Sequence, residues 1–265
     1  MGGGRGGELF PREWAEIAPG AVHLPDWLPA ERQRRLLQAC REWARPPAGL
    51  RTVRTPGGGT MSARQVCLGW HWGPWRNGPR YAPTALDGDG APVKPMPPWL
   101  ADLAREAVAA AQEHGAELGH GAKLGHRAEL GHRAELGHGA ELGERAATAA
   151  YDIALINFYD AHAHMGMHRD SDEQSDAPVV SLSLGDSCVF RFGNTQTRAK
   201  PYTDIELRSG DLVVFGGPAR LAYHGVPRVY AGTGPPGLGL TGRLNVTLRV
   251  SGFSVAQGIM GDSPA

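Results

Sequence analysis

The segment Asn157-Phe-Tyr-Asp-Ala-His-Ala-His-Met-Gly-Met-His168-Arg-Asp170 concentrates residues that bind metals. In an extended backbone, residues two apart point to the same face, so His168 and Asp170 can reach one ion together. Two histidines and one carboxylate on one face of an octahedron, with the remaining positions open, are the ligand set of non-haem Fe(II) oxygenases. The second histidine must come from another strand. His224, in Arg220-Leu-Ala-Tyr-His-Gly225, is the one histidine C-terminal to residue 168. A rival set exists in the same segment. His162, His164 and His168 also fall at even spacing, close to the histidine comb of a cupin-type metal protein. That reading predicts a sugar isomerase or a storage or binding module, with no need for an oxidisable co-substrate.

A second constellation lies in Arg243-Leu-Asn-Val-Thr-Leu-Arg249, where Arg243, Asn245, Thr247 and Arg249 alternate with apolar residues. One reading is a half-buried strand with a wet face. The other is that two arginines, separated by six residues or roughly 20 Å of strand, lean together around a small dicarboxylate. The guanidinium fork matches a carboxylate with two parallel hydrogen bonds. Asn157 and Tyr159 share a strand face and could donate to the same ligand. A dicarboxylate beside Fe(II) implies 2-oxoglutarate, chelating through its keto-acid end.

These side chains need a scaffold, and the second half of the chain offers one. Ile153–Tyr159, Val179–Leu184, Val189–Phe192, Ile205–Leu207, Leu212–Phe215 and Leu244–Val250 are short β-type runs separated by turn residues. Many short strands without intervening helices predict an antiparallel sandwich or barrel. Upstream, Leu36, Leu37, Cys40 and Trp43 recur at helical spacing between Pro29 and Ala44. A second helix is expected from Pro97–Pro98 through Ala111, ending at Gly115. Thr55-Pro-Gly-Gly-Gly-Thr60 reads as a turn.

Residues 114–143 are five near-identical hexads, HGAELG, HGAKLG, HRAELG, HRAELG and HGAELG. They are too few to bury the face of a solenoid, and glycine every sixth residue weakens a helix. They are expected to form a mobile, low-complexity insertion rather than a metal-binding array. The division expected is a flexible stretch 1–20, an N-terminal helical part with a lid over 21–113, the insertion 114–143, a catalytic core over 144–252 and a tail 253–265.

Composition narrows the class further. Lys plus Arg and Asp plus Glu both number 27, so the formal net charge is zero and the whole molecule has no general attraction for nucleic acid. A basic stretch at residues 31–54, with seven arginines, reads first as a solvated helix face and second as a phosphate contact through Arg51 and Arg54. Three scattered cysteines (Cys40, Cys67 and Cys188) argue for a reducing interior. With neither a leader pattern nor an apolar run of membrane-spanning length, cytoplasm is the expectation.

Taken in order, Thr55-Pro-Gly-Gly-Gly-Thr-Met61, Leu68-Gly-Trp70, Asn157-Phe-Tyr159, Met167-His-Arg-Asp-Ser-Asp-Glu173, Val180-Ser-Leu-Ser-Leu-Gly185, Phe190-Arg-Phe-Gly193, Gly210-Asp-Leu-Val-Val-Phe-Gly-Gly217, Tyr223-His-Gly225 and Arg243–Arg249 resemble the AlkB family of 2-oxoglutarate-dependent dealkylases, in its bacterial type. The resemblance covers about residues 20–112 and 146–252. It implies a mainly β fold with flanking α, a double-stranded β-helix or jelly roll; a monomer is the expected state. It implies Fe(II) on His168, Asp170 and His224, with O2 and 2-oxoglutarate as co-substrates. Arg243, Tyr159 and Asn245 would meet the distal carboxylate; Arg249 and Asn157 would lie toward the keto acid. Trp70 would hold a flipped base against His168, Asp172 would favour cationic lesions such as 1-methyladenine and 3-methylcytosine, and Arg198 would contact phosphate. DNA would be the substrate, with RNA a second class; the same chemistry on tRNA or a protein side chain is the neighbouring alternative. The hexads and the Pro/Gly-rich stretch Trp72–Arg80 depart from the family pattern.

Overall fold

A computed structural model describes residues 11–75, 78–119 and 150–253. Two antiparallel sheets face one another and two helices cover the outer face of the larger. The eight-stranded sheet runs β1 (Ala15–Ala18), β2 (Ala21–Leu24), β12 (Leu212–Phe215), β9 (Val179–Gly185), β14 (Arg243–Arg249), β7 (Ile153–Tyr159), β4 (Thr60–Leu68), β3 (Arg51–Arg54). The smaller runs β11 (Thr203–Leu207), β10 (Ser187–Phe192), β13 (His224–Tyr230), β8 (Met165–His168). A short hairpin, β5 (His71–Trp72) and β6 (Tyr81–Ala82), stands apart. This is the jelly-roll arrangement expected.

Alternation along each strand sorts the side chains into layers. Leu244, Val246 and Leu248 of β14, with Ala154 and Ile156 of β7, face outward onto α1 (Ala30–Trp43) and α2 (Pro98–Glu113). There they meet Leu36, Leu37 and Cys40 of α1, and Leu100, Leu103, Ala107 and Ala111 of α2. Between the sheets, Tyr159, Val179, Val213 and Phe215 pack on Cys188, Phe190 and Phe192. Because the outer face is closed by apolar packing, the polar residues of β14 are committed to the space between the sheets.

The structure corrects several expectations. The N-terminal part is not merely helical, since β1–β4 join the same sheet as the core strands. Residues 15–18, placed in a flexible stretch, pair with β2. The first hexad, residues 114–119, follows α2 and buries Leu118 in the main core; the hexads from residue 120 onward lie outside the described residues. The tail is described only at Phe253. Most of the basic stretch is engaged within the fold: Arg32 pairs with Glu106, Arg34 with Glu31, Arg45 with Glu42, and Arg35 lies over Trp99. Arg51 is a buried tie rather than a phosphate ligand, pairing with Asp87 at 2.8 Å and donating to the Trp72 carbonyl.

Asp211 fastens the N-terminal segment to the core. Its carboxylate accepts from Arg12, from His23 at 2.9 Å and from the backbone N–H groups of Asp26 and Arg208. Burial alone would raise its pKa, but the His23 and Arg12 hydrogen bonds outweigh it and hold the group at about 2, below the ordinary 3.8. A depressed carboxylate stabilises fully above its unfolded pKa and loses that contribution as pH falls through the folded value. Asp211→Asn is therefore expected to be less stable than the natural chain by about 2 kcal/mol at pH 7. Urea midpoints should show that gap narrowing by about 1 kcal/mol at pH 3.

Candidate metal and co-substrate site

β8 and β13 are paired so that His168 and His224 sit directly opposite one another, and Asp170 follows β8 by two residues. The ligand atoms of His168, Asp170 and His224 all lie within 4.8 Å of each other, the one such group among the described residues. Each imidazole places Nδ1 3.0 Å from a backbone carbonyl, Gly166 for His168 and Ala222 for His224. With Nδ1–H donated there, Nε2 carries the lone pair, the arrangement that orients a metal-ligating histidine. These Nε2 atoms stand 3.8 Å and 3.7 Å from the Asp170 carboxylate. Burial and the neighbouring His168 push His224 down to about 4, so its ring stays neutral at pH 7. Burial would raise Asp170, yet Arg249 and then His224 dominate and hold it at about 2.

The donor set fits a divalent cation. Arg249 Nη2 holds Asp170 Oδ1 at 2.7 Å, while Oδ2 is buried with no hydrogen-bond partner. A buried carboxylate oxygen without a hydrogen-bond partner is costly unless a cation or donor meets it. The rival histidine comb does not form, because His162 and His164 are exposed in the β7–β8 turn and outside the ligand group.

One cavity between the sheets joins this cluster to the second constellation. Its lining includes His168, Asp170, His224, Asn157, Tyr159, Arg243, Asn245 and Arg249. The register explains the convergence: Arg243 lies opposite Tyr159 and Asn245 opposite Asn157 across the β14–β7 pair. Arg243 is 1% exposed and donates to Ser183 Oγ at 3.0 Å, but Nε and Nη1 have no partner and no carboxylate of the described residues pairs with it. A buried, uncompensated guanidinium calls for an anion. Burial pushes the Tyr159 phenol up, with Arg243 opposing, so it stays a neutral O–H donor beside that guanidinium. Asn157 and Asn245 belong to a polar row across the sheet. Gln65 donates to Asn157 at 3.0 Å, Asn157 to Asn245 at 3.4 Å, and Asn245 to Ser181 at 2.8 Å.

The profile of the 2OG-Fe(II) oxygenase superfamily matches residues 20–249. AlkB of Salmonella typhimurium, named an alpha-ketoglutarate-dependent dioxygenase, is 33% identical over 249 residues, covering 91% of this chain and 96% of that protein. The chain belongs to the AlkB family of 2OG-Fe(II) oxygenases. The solved structure of OsALKBH1 aligns with a TM-score of 0.69 at 30% identity, covering 89% of this chain and 99% of that one. The Arabidopsis thaliana protein ALKBH1D, named a DNA N(6)-methyladenine demethylase, is 29% identical over 247 residues. Those residues are 88% of this chain and 50% of that protein, so this AlkB-family chain spans about half the length of such relatives.

Three of the expected residues are not in the cavity lining. Trp70 donates its indole N–H to Asp152 at 3.3 Å and meets Phe253 edge-on. It is placed by Gly69, whose φ of +76° and approach to the Asp152 carbonyl leave no room for a β-carbon. Asp172 accepts from Trp72 Nε1 at 2.8 Å, with Arg80 at 3.7 Å. Arg198 lies over the Tyr223 ring, as does Arg169. The sequence assigned no role to Ser181, Ser183, Thr247, Gln65 or Glu173. The serines and Thr247 carried a signal, since both strands alternate polar with apolar; Gln65 and Glu173 did not. No helix of the described residues is long and apolar enough to cross a membrane.

Proposed function

We propose that this chain, with Fe(II), O2 and 2-oxoglutarate, removes alkyl groups from damaged nucleobases in DNA, and that it works as a cytoplasmic monomer. The observation that carries the reading is the shared cavity: three metal-type donors at one end and the unpaired Arg243 at the other. In this assignment Arg243 takes the distal carboxylate of 2-oxoglutarate, with Tyr159 and Asn245 beside it. Arg249 and Asn157 face the keto-acid half. Metal and co-substrate, when bound, supply the oxidising power that hydroxylates the alkyl carbon, and the resulting hemiaminal collapses to an aldehyde and the restored base. The chain's own task is to orient the ligands and to keep water out; Phe190 and Phe215 in the cavity lining serve that exclusion.

A base reaches such a cavity only when extruded or single-stranded. We assign Trp70 and Asp172, both near the β5–β6 hairpin, to the base, and Arg198 to phosphate. Arg169 and Arg198 on the Tyr223 ring place two cations next in sequence to, or packed near, His168 and His224. That surface suits a polyanionic strand.

The test incubates the protein with Fe(II), ascorbate, 2-oxoglutarate and a 1-methyladenine DNA oligonucleotide, scoring succinate and restored adenine separately. Both are expected. Succinate without restored adenine would show the dioxygenase reading right and the substrate wrong, and competition with a methylated RNA would then separate the two nucleic acids.

A further inference from the structure

Glu173 lies three residues beyond Asp170, outside the metal group and outside the cavity lining. Its side chain is 0% exposed. Both oxygens are engaged, by donors from three separate parts of the fold. Oε1 accepts from the Tyr81 hydroxyl of β6 and from Arg249 Nη1 of β14, the latter at 2.9 Å. Oε2 accepts from Arg220 Nη2 at 3.1 Å.

Each arginine then reaches Asp170 with its other arm. Arg249 Nη2 holds Asp170 Oδ1 at 2.7 Å. Arg220 Nη1 donates to the Asp170 backbone carbonyl at 2.6 Å, and its Nε fixes the Ala177 carbonyl at 2.8 Å. A guanidinium facing a single carboxylate prefers to engage both oxygens with its fork. Here Glu173 holds Nη1 of Arg249 and Nη2 meets one oxygen of Asp170, while Arg249 Nε and Asp170 Oδ2 both stay without a partner. The β5–β6 hairpin grips the same short loop twice, through Tyr81 on Glu173 and Trp72 on Asp172.

We propose that Glu173 is a positioning residue for the metal site. By holding Arg249 through Nη1 it fixes the angle at which the guanidinium meets Asp170, with Nη2 on Oδ1 and Nε not engaging Oδ2, so that Oδ2 is left for the metal; through Tyr81 it fastens the hairpin to the metal-bearing loop. The proposal rests on the reading of His168, Asp170 and His224 as the metal centre. Without Glu173, Arg249 swings to pair with both oxygens of Asp170 and competes with the cation. Groups that orient a ligand in this way typically contribute 10–100-fold to metal affinity.

The probe is Co(II), titrated into metal-free full-length protein and followed by its visible absorption, which reports ligand geometry. Glu173→Gln is expected to bind Co(II) at least about tenfold more weakly than the natural chain. Glu173→Asp keeps the charge that balances Arg220 and Arg249, so it guards against a variant that simply fails to fold. Being one methylene shorter, it cannot reach all three donors. It is expected to bind several-fold more weakly, with an altered Co(II) spectrum and the metal-free melting temperature nearly preserved. Affinity within twofold of the natural chain and an unchanged spectrum, in either folded variant, would overturn the proposal. Failure of the natural chain itself to bind Co(II) would instead remove the metal-centre reading beneath it.

Discussion

Asp170→Ala is expected to abolish both stoichiometric Co(II) binding and 2-oxoglutarate turnover. The carboxylate is the one anionic ligand of the group and stands near both imidazoles, at 3.8 Å from His168 and 3.7 Å from His224. Two imidazole ligands alone supply no negative charge to balance the cation inside a buried cavity. The loss of affinity should exceed the roughly 10–100-fold that accompanies changes in outer residues. The variant also strips Arg249 of one of its two anions, leaving Glu173 as its remaining charged partner. Breaking one arm of a buried ion-pair network costs on the order of 3 kcal/mol, so the metal-free variant should unfold at lower urea while remaining folded in buffer. His162→Ala and His164→Ala are the controls. Both rings are exposed in the turn after β7, and neither change should alter Co(II) affinity or turnover. A loss of binding in the turn variants, with retention in Asp170→Ala, would reinstate the histidine comb.

How much of this could be read from the chain alone differs by element. The runs Ile153–Tyr159 and Leu212–Phe215 coincide with β7 and β12, since apolar runs of 7 and 4 residues bounded by turn residues are of strand length and too short for a buried helix. The helices were legible for a related reason, with one apolar stripe each and a proline at the start of α2. β3, Arg51–Arg54, and β4, Thr60–Leu68, lie at or next to the sheet edge and carry Arg, Thr and Gln, so no alternation marks them. β13 contains Pro227, which argues locally against a strand, although His224 at its start is what the metal group needs.

The site divides along the same line. His168, Asp170 and His224 were legible because ligand chemistry restricts residue type and spacing. Glu173 was not, because its role depends on Tyr81 and Arg249, 92 and 76 positions away. The same holds for Trp72, which looked like part of an irregular lid and instead holds Asp172. Spacing reveals which residues can share a ligand. It does not reveal which distant side chains hold them still.

Arg243 gives the clearest separation of binding from folding, because its two effects should have opposite signs. Its guanidinium is 1% exposed, makes one hydrogen bond, to Ser183, and faces no carboxylate of the described residues. In the ligand-free protein such a cation opposes folding, and replacing buried charge by an apolar side chain of similar size is often neutral or stabilising. Arg243→Met should therefore melt at or above the natural chain when 2-oxoglutarate is absent. Adding the co-substrate reverses the order. A ligand at 100 times its dissociation constant stabilises the native state by about 2.7 kcal/mol, and only the natural chain has the guanidinium to receive the distal carboxylate. Loss of a hydrogen bond to a charged group costs about 1.5–3 kcal/mol, so the KM for 2-oxoglutarate should rise by about 10- to 150-fold in Arg243→Met, with a smaller change in kcat. Thermal melts with and without 2-oxoglutarate, set beside the KM values, check both signs. Equal stabilisation of the two proteins by 2-oxoglutarate would place the distal carboxylate somewhere other than Arg243.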